Sequence, residues 1–350
     1  MMKEQLRSTF KELLTLHAIS GSEEILLPYI EEKVKPYLDD VYYDNFGNLI
    51  ANKKGNGKKL LICAHADEIG FLVRNITKDG FLLFAKVGGT PDKIMQARKV
   101  IVDGKLNGII GIRPGHLHTP EERTKIYQAK ECYIDIGASS KEEALAMGVN
   151  IGSTAVFESD YMELNNSDLI CSRAVDDRIG CAILIELIKE IAAKPVDYDV
   201  YFVFGKQEEV GLKGARAVGN TINPDIAIAL DTTLSGDTPD VNFENEVPLA
   251  LGAGAVCLLS EGATRGGFMD RRVRTLIEEA AANCNEKLQY ASFLGYSLAT
   301  DANELSVSGI GAAAGTIAIP RRYSHTPVEL MNINDAVSAY NILLSMISLM

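Results

Sequence analysis

Tryptophan is absent from the 350-residue chain, histidine occurs five times, and the six cysteines never form a CxxC pair. Each shortage excludes something. Carbohydrate clefts commonly rely on flat aromatic platforms, so a chain without tryptophan is a poor candidate for a glycoside hydrolase. Scattered cysteines in apolar surroundings such as "LLICAH" and "GCAILI" fit buried, reduced thiols rather than a disulfide framework or a cysteine-rich zinc site. No apolar run approaches the ~18–20 residues of a membrane span. The opening "MMKEQLRSTFKELLTL" alternates charge with Leu and Phe at helical spacing and lacks a signal-peptide core, so a cytoplasmic location is expected. Basic residues are outnumbered 35 to 47, leaving a net charge of −12. That balance argues against nucleic acid or an anionic membrane as partner. No GxxxxGK[ST] loop occurs, and "LGAGAV" at 251–256 lacks GxGxxG spacing, so it reads as a strand or turn.

The chain's length allows one large domain and a smaller one. Helical spacing predicts helices over roughly 3–17 and 22–37, the second with a capping box from Ser20 and Glu23. Strand-like segments follow at 41–53 and 59–65. From about residue 71 to 165 the texture is short β-rich pieces separated by Gly and Asp turns. Beyond it, longer units alternate: helix 176–192, strand 199–205, helix 212–219, strand 225–231, a helix near 270–287, strand 312–319 and helix 333–348. Alternating strands and helices imply an α/β fold, a mostly parallel mixed sheet with helices on both faces. Residues 1–70 and 166–350 would form that domain, with 71–165 a small β-rich insertion.

Ligands in open α/β sheets bind beyond the carboxyl ends of the strands. Those ends carry a consistent set of polar residues. "KLLICAH" runs into His65 and then Asp67, "VYFVFGKQ" into Glu208 and Glu209, "DIAIALD" into Asp231, and "GTIAIPRRYSH" into His325. The pair Asp176–Asp177 stands where a helix begins. Taken singly, each has an ordinary explanation: a helix cap, a hydrogen-bonded structural histidine, a solvated surface pair. Pooled at one sheet edge, two histidines and three or four carboxylates without cysteine make an N/O site suited to Zn2+, Co2+ or Mn2+. The number of groups suggests two ions about 3.5–4 Å apart, which need a bridging carboxylate. The matching chemistry is hydrolysis. No basic cluster is present for phosphate, which leaves the amide bond.

"AHADEIGF", "SRAVDDRIGC", "QEEVGLKGA", "ALDTT" and "IPRRYSHTPVE" resemble, in order and spacing, the motifs of the M42 (TET-type) metallo-aminopeptidases, a group that includes enzymes labelled glutamyl or deblocking aminopeptidases and endoglucanases. The likeness extends over the whole chain; "VGGTPD" and "GIIGIRPGHLHTPEER" resemble the family's PDZ-like insert. It implies a zinc-peptidase-like fold and two divalent metal ions per subunit, Zn2+ or Co2+. Asp176 would bridge them, with His65 and Asp231 completing one site and Glu209 and His325 the other. Asp67 would orient the His65 imidazole, and Glu208 would be the general base toward the water between the ions. The Asp176–Asp177 bond would be a cis peptide. Substrates would be peptides with a free N-terminus, and the insert at 71–165 would build a homo-oligomer, dimers assembling to a dodecamer. Two departures stand out. "FLGYSLATDANE" keeps the family's Thr300, Asp301 and Ala302 without a preceding Gly pair, and the loop after Asp231 is unusual. The competing readings are an endoglucanase-type glycoside hydrolase and a non-catalytic metal-binding scaffold. His116 and His118 read as a loop or oligomer contact rather than a metal pair.

Overall fold

The computed structural model describes residues 1–38, 40–262 and 266–350. Its helices are α1 (Met2–Leu13), α2 (Leu26–Val34), α3 (Lys141–Ala146), α4 (Val175–Ile191), α5 (Lys213–Ile222), α6 (Arg271–Asn283), α7 (Asp301–Val307) and α8 (Ile333–Leu349). The first strands are β1 (Asp40–Tyr43), β2 (Leu49–Lys53) and β3 (Lys59–His65). Six more follow in the β-rich stretch: β4 (Gly70–Ile76), β5 (Leu82–Val87), β6 (Lys99–Val102), β7 (Leu106–Ile110), β8 (Ile134–Asp135) and β9 (Thr154–Phe157). The remainder are β10 (Met162–Glu163), β11 (Leu169–Ser172), β12 (Asp199–Gly205), β13 (Ile226–Leu234), β14 (Ala255–Glu261), β15 (Gly267–Phe268), β16 (Leu288–Ser292), β17 (Ala313–Arg322) and β18 (Glu329–Asn332).

The main sheet has twelve strands and runs β1-β2-β12-β3-β13-β17-β18-β11-β10, with β14 joining β17 to β15 and β16. Parallel pairing links β12, β3, β13 and β17 at the centre and β14 to β16. The flanks are antiparallel, so the sheet is less parallel than expected. Parallel neighbours need long crossover connections, whereas β1–β2, β10–β11 and β17–β18 are joined by short hairpins and pair antiparallel.

Period-2 alternation explains why both faces are covered. Along β3, Leu60, Ile62 and Ala64 pack into one cluster with α1, α2, α4, α6 and α8. Leu61 and Cys63 face the other way, against α5 and α7. Helix α4 is apolar nearly all round because it lies between the sheet and α1, α2 and α8. Among the described residues no helix is long and apolar enough to cross a membrane.

The β-rich stretch closes into a barrel, β4-β5-β8-β7-β6-β9. Its core is pinned by Phe71, whose ring lies 5.0 Å from that of Phe84 and 5.1 Å from that of Phe157, both edge-on. One local expectation fails. α2 begins at Leu26 without a side-chain cap. Ser20 instead donates to Asp67, and Glu23 accepts from the backbone of Gly21 and Gln207. Long-range partners thus take the residues that would have made a capping box. The cysteines are free and mostly buried, as expected.

Candidate active site

Sheet register brings the first two groups together. β3 and β13 pair Cys63 with Ala229. Two residues further along each strand, His65 and Asp231 are therefore level and turned to the same face. His65 Nε2 lies 3.9 Å from Asp231 Oδ1 and 3.1 Å from Asp176 Oδ1. Asp176 and Asp177 open α4 with non-helical dihedrals, joined by a cis peptide bond. The hairpin between β17 and β18 supplies His325, whose Nε2 is 3.5 Å from Asp176 Oδ2 and 3.6 Å from Glu209 Oε1. Asp176 thus presents one oxygen to each histidine. Potential ligand atoms of Asp176, Glu209 and His325 converge, as do those of His65, Asp177 and Asp231 and those of His65, Glu208 and Glu209.

Asp67 is fully buried. Its carboxylate accepts the backbone N–H groups of Glu208 and Glu209 at 3.0 and 3.2 Å and the Ser20 hydroxyl. It holds the turn after β12 in place. The His65 Nδ1 partner is the Asp67 main-chain carbonyl at 3.0 Å, with the carboxylate 3.6 Å away. A proton on Nδ1 directed at that carbonyl makes Nε2, beside Asp176 and Asp231, the ring nitrogen that could bind a cation.

The electrostatics are those of a site built around positive charge. Burial, with repulsion from neighbouring carboxylates, pushes Glu208 and Asp231 well above the carboxylate range. For the same reasons Glu209 rises to about 7. Burial would lower His325, but Asp176 and Glu209 lift it to about 9. His65 is also raised, its bonds to Asp176 and Asp67 outweighing burial. Asp176 is desolvated too, yet the Arg321 guanidinium and the histidines hold it well below the usual range. Asp177 keeps a buried carboxylate oxygen, Oδ2, with no hydrogen-bond partner. Crowded buried carboxylates are costly unless cations compensate them. Two imidazoles and this carboxylate set are suitable donors for divalent ions.

Several participants escaped the sequence reading. Arg321 pairs with Asp176 and Glu329 and donates to Thr232 Oγ1 at 2.6 Å. Arg321 and Glu329 both lie within the quoted "IPRRYSHTPVE", but only their hairpin pairing reveals the contacts. The barrel also contributes. Gly88 and Gly89, just after β5, come so close that a Cβ on Gly89 would sit 2.6 Å from His325 Nδ1. Gly89 and Pro91 line a cavity of about 780 Å3 together with Leu212, Leu234, Tyr296 and Leu298, and Asp176, Glu208, Glu209, Asp231 and His325 open onto it. That is the size of a small-molecule or peptide-end pocket. His116 and His118 lie around a short 3₁₀ turn in the barrel segment and join no metal-type cluster among the described residues.

The comparisons with known proteins agree. The family model described as M42 glutamyl aminopeptidase matches residues 47–342. The chain is similar to a lysyl aminopeptidase of Pyrococcus furiosus, 30% identical over 331 residues, covering 93% of this chain and 92% of that one. Among solved structures, an aminopeptidase from the archaeon Desulfurococcus kamchatkensis superposes with a TM-score of 0.93 at 34% identity, covering 100% of this chain and 96% of that one. The TET1 peptidase of Pyrococcus horikoshii, which can assemble into a tetrahedron or a large octahedral shell, gives 0.84 at 32%, covering 98% and 99%. With this site at the carboxyl edge of its sheet, the chain belongs to the M42 glutamyl aminopeptidase family and is a peptidase.

Proposed function

We propose that the chain is a two-metal aminopeptidase that removes N-terminal residues from peptides. The observation that carries this reading is the carboxylate of Asp176, set 3.1 Å from His65 Nε2 and 3.5 Å from His325 Nε2. Asp176 would bridge the ions, His65 and Asp231 would complete one site, and Glu209 and His325 the other. Bound there, Zn2+ or Co2+ would supply Lewis-acid polarisation of the scissile carbonyl and lower the pKa of the attacking water.

The chain's own residues do the rest. Glu208 takes the proton of the attacking water and delivers it to the leaving amine. Asp67, through the backbone N–H groups of Glu208 and Glu209, keeps the two glutamates in separate positions. Nearby cations would draw the Glu208 carboxyl back down to a range where it is a base. The cavity receives the substrate's N-terminal end. Glu208→Gln is expected to retain bound metal while kcat falls by about 10²–10⁴-fold. Metal analysis alongside turnover of aminoacyl p-nitroanilides checks this; wild-type turnover would remove Glu208 from the role. A glycoside hydrolase is not favoured, since the matching family model describes a glutamyl aminopeptidase and the Pyrococcus furiosus relative is a lysyl aminopeptidase.

The same reading assigns residues 1–70 and 166–350 to a catalytic domain. Residues 71–165, with the barrel as a PDZ-like insert, would form an oligomerisation domain. Support comes from the assembly of the Pyrococcus horikoshii relative and from apolar residues left exposed on the barrel segment, among them Ile109, Ile112 and Leu117. Six free cysteines suit a cytoplasmic location.

A further inference from the structure

We propose that Glu329 is a positioning residue for the metal ligands, acting with Arg321 to hold Asp176 and His325 in register; the inference rests on the ligand assignment above. Glu329 is the first residue of β18 and is 2% exposed. Its Oε2 accepts the backbone N–H of Asp176 at 3.1 Å, and its Oε1 accepts that of His325 at 2.7 Å. One buried carboxylate therefore fixes the main chain of two residues from distant parts of the sequence. Oε1 also pairs with Arg321 Nη1, while Arg321 Nη2 pairs with the side chain of Asp176. The Nε–H of Arg321 donates to Thr232, the neighbour of Asp231.

Two physical consequences follow from this arrangement. The first is conformational. His325 has φ of 57°, a left-handed backbone that a residue with a Cβ adopts only when its surroundings impose it. The hydrogen bond to Glu329 is one such restraint, and it sets where the imidazole points. The second is electrostatic. Arg321 is a buried cation beside a carboxylate meant for other cations. Glu329 neutralises it. Without that charge, Asp176 alone would pair with Arg321, and the guanidinium would compete more strongly with the ions for its oxygens.

The test is Co2+ binding to the full-length chain, read by calorimetry and by the visible absorption of the bound ion. Thermal unfolding in chelator serves as the control for folding. Glu329→Gln is expected to weaken Co2+ binding by about 10–100-fold, the usual cost of losing a residue that supports a ligand. It should also alter the Co2+ spectrum, which a purely structural residue would leave unchanged. Adding Arg321→Met to that variant should recover part of the affinity, because the competing cation is removed. Wild-type affinity and spectrum in Glu329→Gln, whatever its melting temperature, would overturn the proposal. If that variant does not fold, Glu329→Asp keeps the charge on a shorter arm and is judged by the same two readouts. His325→Ala and Asp176→Asn separate the two levels of inference. Undiminished Co2+ binding in these variants would refute the ligand assignment itself. Loss in them with none in Glu329→Gln would refute only the positioning role.

Discussion

Gly89 sets how near the barrel comes to His325. A methyl group there would meet the imidazole at 2.6 Å, inside any tolerable contact. Gly89→Ala should push the ring off its position, and kcat/KM for aminoacyl p-nitroanilides should fall by about 10²-fold, the scale of a 1 Å misplacement. Unchanged kinetics would mean that the loop yields instead. His17 offers a pH-dependent counterpart outside the ligand set. Burial, reinforced by Arg173, lowers its pKa from 6.5 to about 4. Between those values the unfolded chain binds a proton that the native one refuses, so this group removes stability as pH falls from 6.5 toward 4. His17→Gln should therefore lose less melting temperature than the wild type over that interval. Equal losses in the two proteins would contradict the assignment. At this scale, Glu208, Glu209, His65, Asp231 and His325 could be picked out because each ends an apolar run. Arg321, Glu329 and Gly89 could not, since nothing local distinguishes a buried arginine or a contact glycine from a surface one.

Among the elements, β3 and β12 coincide with the expected 59–65 and 199–205. Each has a continuous apolar run, Leu60–Ala64 in β3 and Val200–Phe204 in β12, bounded by polar residues or glycine. α7, β16 and β18 were not anticipated; each is short and stabilised by what it packs against rather than by its own pattern. α4 is the opposite case, legible from its apolar length, and its burial has an energetic consequence. Ile183 is fully buried in the largest core cluster. Ile183→Ala should cost about 2–5 kcal/mol through lost contacts and the cavity left behind, measurable as a lower urea midpoint. An unchanged midpoint would contradict the close packing of α4 against the sheet.

For the whole molecule, the barrel does more than lengthen the chain. Its β5–β6 connection forms part of the cavity wall beside His325. Another part of the same segment exposes Ile109, Ile112 and Leu117 at 55%, 50% and 59%. If that surface joins copies of the chain, light scattering should give a mass many times 38.0 kDa, up to twelve subunits. Replacing Ile112 and Leu117 with Asp should reduce it. A wild-type monomer would refute the assembly.

The order of apolar runs and the polar residues that end them were enough to place an α/β sheet, a β-rich insertion and a carboxylate–histidine edge suited to hydrolysis. Those features depend on local periodicity, which one chain displays directly. How Arg321 and Glu329 brace Asp176, and how closely the barrel approaches His325, are different in kind. They arise from hairpin pairing, strand register and a loop packed across from another part of the chain, and such contacts exist only after distant segments have come together.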